Sequence, residues 1–158
     1  MKPSSTTTRI LRILPMLLVM AVIFAFSAMP GDESGETSGR ILTVVVNIAE
    51  FVTHEAVPHD KAVIMHGVLR KCAHFTEYAL LGITAVLAFY KARLGKLKNA
   101  ILPLIVSVLY AASDEFHQMF VAGRGPSVRD VLIDSLGALT GIIILLLCIK
   151  KPKTNPVQ

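Results

Sequence analysis

The sequence predicts an all-α membrane protein with four transmembrane helices plus a short interfacial helix on the outer side. Three observations lead there. Of 158 residues, 53% are apolar, only 17% are charged and none is Trp, whereas soluble domains average about 45–50% apolar and ~25% charged. Mean hydropathy is +0.62, which excludes a disordered chain, since disorder needs low hydrophobicity and high charge. The apolar residues also fall in long blocks, at 13–29, 72–90, 100–120 and 131–149. Each block is close to the ~20 residues that a helix needs to cross ~30 Å of hydrocarbon.

Taken in order, residues 1–12 form a basic segment ahead of the first span, 13–29. A cleaved signal peptide would need a shorter apolar core than these residues supply, so the span is expected to stay attached, with Pro15 in its first turns. The run GDESGETSGR at 31–40 reads as a polar, flexible loop. Residues 41–52 are too short to cross. Thr43, Asn47, Glu50 and His54 share one helical face and Ile41, Val45, Ile48 and Val52 another, the pattern of an amphipathic helix in the outer interface, with a strand as the alternative. Pro58 closes this region and Asp60 is the expected N-cap of the next helix. The remaining spans are expected at about 70–90, 99–120 (kinked at Pro103) and 130–149, with a tight loop at 123–130 and a tail at 150–158. Residues 13–149 thus make one membrane domain.

The net charge of +5 points to topology rather than to nucleic acid, because no aromatic residues interleave with the bases. Lys2, Arg9, Arg12, Lys91, Arg93, Lys96, Lys98, Lys150, Lys151 and Lys153 fall on one side of a four-pass chain. Arg40, Lys61, Arg70, Lys71, Arg124 and Arg129 fall on the other. Lysine and arginine concentrate on the cytoplasmic side, so the protein is expected in the cell membrane with both termini cytoplasmic. Cys72 and Cys148 belong to opposite ends of their spans, too far apart to bridge, and read as packing residues.

Polar residues inside the spans carry most of the functional information, because ionisable groups in hydrocarbon cost about 2.5–3.5 kcal/mol each. On the second span Arg70, Lys71, His74, Glu77 and Tyr78 fall within about 120° of arc. On the third, Ser107, Tyr110, Asp114, His117 and Gln118 make a stripe with Glu115 at its margin. On the fourth, Asp130, Asp134, Gly137 and Gly141 fall within about 60°. At 1.5 Å per residue, His74, Glu77, Asp114, Glu115 and Asp134 all lie roughly 6–10 Å below the outer edge. Five acids, Glu77, Asp114, Glu115, Asp130 and Asp134, then face four bases, Arg70, Lys71, Arg124 and Arg129. Two readings compete: an ion-pair lock that fixes three helices together, and a site open to the outer leaflet. A metal held by His74, Glu115 and His117 is disfavoured for want of a ligand spacing. Gly137 and Gly141 read as a helix-contact face.

The stretches RKCAHFTEYALLG at 70–82 and SDEFHQMFVAGRGPSVRDVLIDSLGALTG at 113–141 resemble the VanZ-like family of small bacterial membrane proteins. The matching positions are Lys71, His74, Tyr78, Glu115, Gln118, Arg124, Asp130 and Gly137. Many members carry Asn where this chain has Asp134. The founding member is an accessory factor that raises resistance to the lipoglycopeptide teicoplanin, so the resemblance implies a cell-envelope setting. The expected site binds or modifies a membrane lipid or a lipid-linked or anionic envelope component, without cofactor or metal. Lys71, Arg124 and Arg129 would clamp a phosphate or carboxylate. Glu115 or Asp114 would be the acid or base, oriented by His74 or Gln118. Asp130 joins the catalytic candidates, and Tyr78, Glu77 and Asp134 join the ligand-binding ones. The alternative is a non-catalytic scaffold or binding protein locked by the same pairs. Transport is weaker still, because inverted repeats are absent.

Overall fold

A computed structural model describes residues 5–91 and 93–149, with side chains except those of 5–9 and 32–37. Bases of the two termini, Lys2, Arg9, Lys150, Lys151 and Lys153, fall outside these residues or side chains. Among the described residues five helices succeed one another: α1 (Ser5–Ser27), α2 (Gly31–Thr53), α3 (His59–Phe89), α4 (Lys96–Gln118) and α5 (Val128–Cys148). The described residues contain no strand, which settles 41–52 as helix. Residues 10–27 of α1 and the whole of α3, α4 and α5 are long and apolar enough to span a membrane. Leu17, Phe24, Ile105, Leu109, Leu136 and Ile144 stay exposed along them, as helices surrounded by hydrocarbon require.

Three elements are longer than the sequence suggests. The α2 helix starts at Gly31, so the run at 31–40 is helical rather than a flexible loop. Its first turn is pinned by the Gly31 N–H, which donates to the Ala122 carbonyl at 2.9 Å. A Cβ on Gly31 would collide with the backbone of Gly123, so only glycine permits that approach. The helix ends where His54 turns left-handed at φ 57°. Ser38 on α2 and His66 on α3 share a 2.6 Å hydrogen bond. The α3 helix begins at His59, eleven residues before the expected span, with Pro58 at its cap and Asp60 inside the first turn. Its 31 residues reach ~46 Å, well past a ~30 Å hydrocarbon layer. The α1 helix begins at Ser5, which puts Pro15 in its interior.

The tightest seam joins α3 to α5, and glycine makes it. A Cβ on Gly137 would strike the carbonyl of Phe75, one on Gly141 that of Ala79, and one on Gly82 that of Ala138. Small residues at four-residue spacing let two helix backbones touch without a hydrophobic drive. The register, Phe75 with Gly137 and Ala79 with Gly141, makes α3 and α5 parallel. Above this seam Tyr78, Leu81, Ala85, Ala111 and Ala138 are fully buried with Ile23 of α1 against them.

The link from α3 to α4 is organised by one side chain. Asn99 is 4% exposed. Its Oδ1 accepts the Lys91 N–H at 2.9 Å. Its Nδ2 donates to the carbonyls of Lys91, Leu94 and Gly95 at 3.0, 3.2 and 3.3 Å. Every polar atom of the amide is thereby used. The two cysteines are unbridged, and both are exposed, so neither is the packing residue the sequence suggests.

Candidate functional site

The C-terminal ends of α1 and α4 meet the N-terminal end of α5 and the middle of α3, and the in-span polar residues gather there. Burial sorts them. Asp114, Glu115, Gln118 and Asp134 are at most 5% exposed, and Tyr78 is wholly buried. His74, Glu77, Arg124 and Asp130 are half-buried, Arg70 is partly covered and Lys71 is exposed. Arg129 is also exposed and does not join the others.

Part of the cluster is structural. Glu115 Oε2 accepts the Ser127 N–H at 2.8 Å. Ser127 is the N-cap residue of α5, so the carboxylate orders the approach to a helix start, where negative charge is favoured. The Arg124 Nε donates to the Met29 carbonyl at 3.0 Å and its Nη2 to the Phe26 carbonyl at 2.9 Å. The guanidinium thus ties together the last turn of α1, through Phe26, and the link that follows it, through Met29. Lys71 and Asp130 form an ion pair between α3 and α5. Gln118 donates to Asp114 Oδ2 at 3.2 Å. The stripe on α4 divides: Tyr110 donates to the Met20 carbonyl at 2.6 Å and His117 stacks on Phe24 at 4.8 Å, so both serve the contact with α1.

The rest of the cluster lacks partners. Asp134 is 0% exposed and neither of its oxygens has a hydrogen bond. His74 Nδ1 approaches Asp134 Oδ1 at 3.8 Å, beyond hydrogen-bond range, and is itself unpartnered. The Tyr78 hydroxyl, Asp114 Oδ1 and the Ser27 hydroxyl are buried and equally bare. Arg70 has no hydrogen bond or ion pair with a described residue. Native proteins satisfy nearly all buried polar atoms, so such a concentration calls for a cause.

The described residues line two cavities beside these groups. One, of about 230 Å³, is polar and lined by Arg70, Lys71, His74, Arg124, Asp130 and Asp134. The second, of about 240 Å³, is walled mainly by Ile23, Phe26, Ile41, Leu69 and Ala73, with Ser27 and Glu77 among them. Arg70, His74 and Arg124 line both and form the boundary between a charged chamber and an apolar one. Burial, and after it the neighbouring charge of Arg70, lowers the pKa of Arg124 from the ordinary arginine value. An anion held between the two guanidiniums would relieve both effects. Among the described residues no group of three or more His, Cys, Asp or Glu side chains is arranged to hold a metal.

Arg70 and Ile41 emerge as cavity residues that the site expectations did not include. Arg70 was legible as a base facing the acids, but its place between the two cavities depends on α1 and α2. Ile41 depends on α2 folding back over α3, for which the sequence carries no pairing signal.

A sequence profile of the family described as VanZ/LLP1 matches residues 12–149, nearly the whole chain. No curated protein and no solved structure matches it.

Proposed function

The chain belongs to the VanZ/LLP1 family, and we propose that it holds an amphiphile of the cell envelope whose anionic group enters the polar chamber. One observation carries this reading: Arg70, His74 and Arg124 stand at the junction of a charged cavity and an apolar one. A ligand that spans such a junction has a charged head and a hydrocarbon tail. Arg70 contributes a guanidinium with no partner among the described residues, and Arg124 contributes the part of its fork not given to α1. Forked donors suit phosphate or carboxylate. The cavities belong to the outer-leaflet side when both termini are cytoplasmic, as the distribution of lysine and arginine favours. Occupancy by a lipid-linked wall precursor or a neighbouring lipid would alter what a lipid-anchored glycopeptide meets at the surface, which links the site to teicoplanin susceptibility.

The lock reading has a narrower foundation. Glu115 with Ser127, Arg124 with α1, and Lys71 with Asp130 hold elements together. Arg70 and Glu77 hold none among the described residues, and His74 meets Asp134 only at 3.8 Å, too long for a hydrogen bond, so a lock leaves these groups unexplained. Native mass spectrometry of the delipidated protein titrated with phosphatidylglycerol tests the proposal. One lipid should bind, and Arg70→Gln should weaken it about ten-fold, the worth of one charge-assisted hydrogen bond, at unchanged helicity. Teicoplanin protection in a susceptible Gram-positive host should fall with it, at normal membrane abundance. Equal lipid affinity in Arg70→Gln and wild type overturns the reading.

A further inference from the structure

Deepening the function proposed for this site and resting on it, we infer that the polar chamber takes a head group carrying its own cation beside the phosphate, with Asp134 as the seat of that cation. Among the described residues, carboxyl groups outnumber fixed cations around the chamber. Glu77, Asp114, Glu115, Asp130 and Asp134 bring five carboxyl groups to this end of the bundle. Arg70, Lys71 and Arg124 bring three fixed cations, while Arg129 is exposed and lines neither cavity. Lys71 is spent on Asp130. A head group with a phosphate alone satisfies Arg70 and Arg124 but brings no cation to the surplus carboxyl groups. It also leaves Asp134 as it stands.

Asp134 is the group that selects among head groups. It lines the polar chamber, is 0% exposed, and offers two oxygens with no donor on either. His74 stands 3.8 Å from Oδ1 and leaves Oδ2 untouched. A buried carboxyl group without partners is costly as an anion and holds its proton until a cation is placed beside it. An ammonium group supplies three donors and the compensating charge. With the phosphate between Arg70 and Arg124, an amine joined to it by a short linker stays within the same cavity of about 230 Å³. A primary amine fits better than a quaternary one, which has no N–H to give. The chemistry is that of a phosphoethanolamine-type head group, on a lipid whose chain enters the apolar cavity or as a free compound.

The test compares two phospholipids with identical chains and the same phosphodiester, phosphatidylethanolamine and phosphatidylglycerol, titrated into the full-length protein and followed by native mass spectrometry. Wild type should prefer the ethanolamine head by about ten-fold. Asp134→Asn should bring the two to parity, with helicity by circular dichroism and the thermal midpoint in detergent showing that the variant is folded. Soluble phosphoethanolamine is added as competitor. If it displaces lipid only at millimolar concentration, the lipid form is the ligand; displacement at the lipid's own concentration assigns the free compound. Equal affinity of wild type for both lipids overturns the inference and leaves the proposed function standing. A preference that survives in Asp134→Asn overturns it as well. Binding of neither lipid removes the reading on which it rests.

Discussion

Two buried polar side chains, one in the first turn of α4 and one beside its far end, are treated in opposite ways. Asn99, 4% exposed, has every donor and acceptor of its amide engaged by the α3–α4 link. Asp134, 0% exposed, has none of its oxygens engaged. An unsatisfied buried polar group costs about 1–3 kcal/mol, and more when it carries charge. The molecule therefore uses buried polarity to define structure at one end and keeps it unspent at the other. The unspent end is also where two cavities meet and where Arg70 lacks a partner among the described residues. Departures from polar satisfaction of this kind gather at functional sites.

The contrast depends on the α3–α5 seam that supports both ends, and breaking it should have the largest effect. Gly141→Leu drives a branched side chain into the Ala79 carbonyl. Overpacking of that kind costs about 1–3 kcal/mol where neighbours can shift, and more against backbone. The variant should fail to give a monodisperse species in detergent, and its membrane abundance should collapse. Asn99→Asp comes next. It replaces three amide hydrogen bonds to carbonyls with an acceptor facing acceptors, so stability should fall by about 3 kcal/mol, read from the thermal unfolding midpoint in detergent. A midpoint equal to wild type would erase the satisfied half of the comparison.

Sequence patterns make the four spans legible, because long apolar blocks have few other uses and the glycine spacing at Gly137 and Gly141 marks a contact face. The polar cluster is legible for a related reason: helical periodicity and depth are local quantities, and they bring His74, Glu77, Asp114, Glu115 and Asp134 to one level. Periodicity cannot give who partners whom. The link between Glu115 and Ser127 depends on the path of the 119–127 loop, and the capping of α1 by Arg124 depends on where α1 stops. Sequence position alone counts Arg129 with the bases, yet it lies one residue from Asp130 on a different face of α5. Gly31, Gly35 and Gly39 suggest a loop and so a shorter α2. A tertiary contact between Gly31 and the Ala122–Gly123 backbone fixes the helix start instead. Asn99 leaves no signal, since an asparagine beside a lysine-rich turn reads as a surface residue.

The smaller effects sharpen the contrast by sign. Glu115→Gln keeps an acceptor for the Ser127 N–H but loses the charge, so a destabilisation of about 1 kcal/mol is expected, and the accessibility of cysteines introduced in the 123–127 loop should rise only slightly. Asp134→Asn should do the reverse of Asn99→Asp. It breaks no hydrogen bond, because Asp134 makes none, and it removes a buried ionisable group that has no counter-ion at hydrogen-bond distance. Its unfolding midpoint in detergent should equal or exceed that of wild type by the equivalent of about 1 kcal/mol. The amide and the carboxyl group have nearly the same shape, so packing against the seam is preserved and the difference reports the exchange of an ionisable group for a neutral amide with two N–H donors. A gain in stability joined to a loss of discrimination among head groups is the signature of a residue kept for binding. A fall of several kcal/mol in Asp134→Asn would instead make the carboxylate part of the scaffold, and the two ends of the bundle would then differ only in how their polar groups are held.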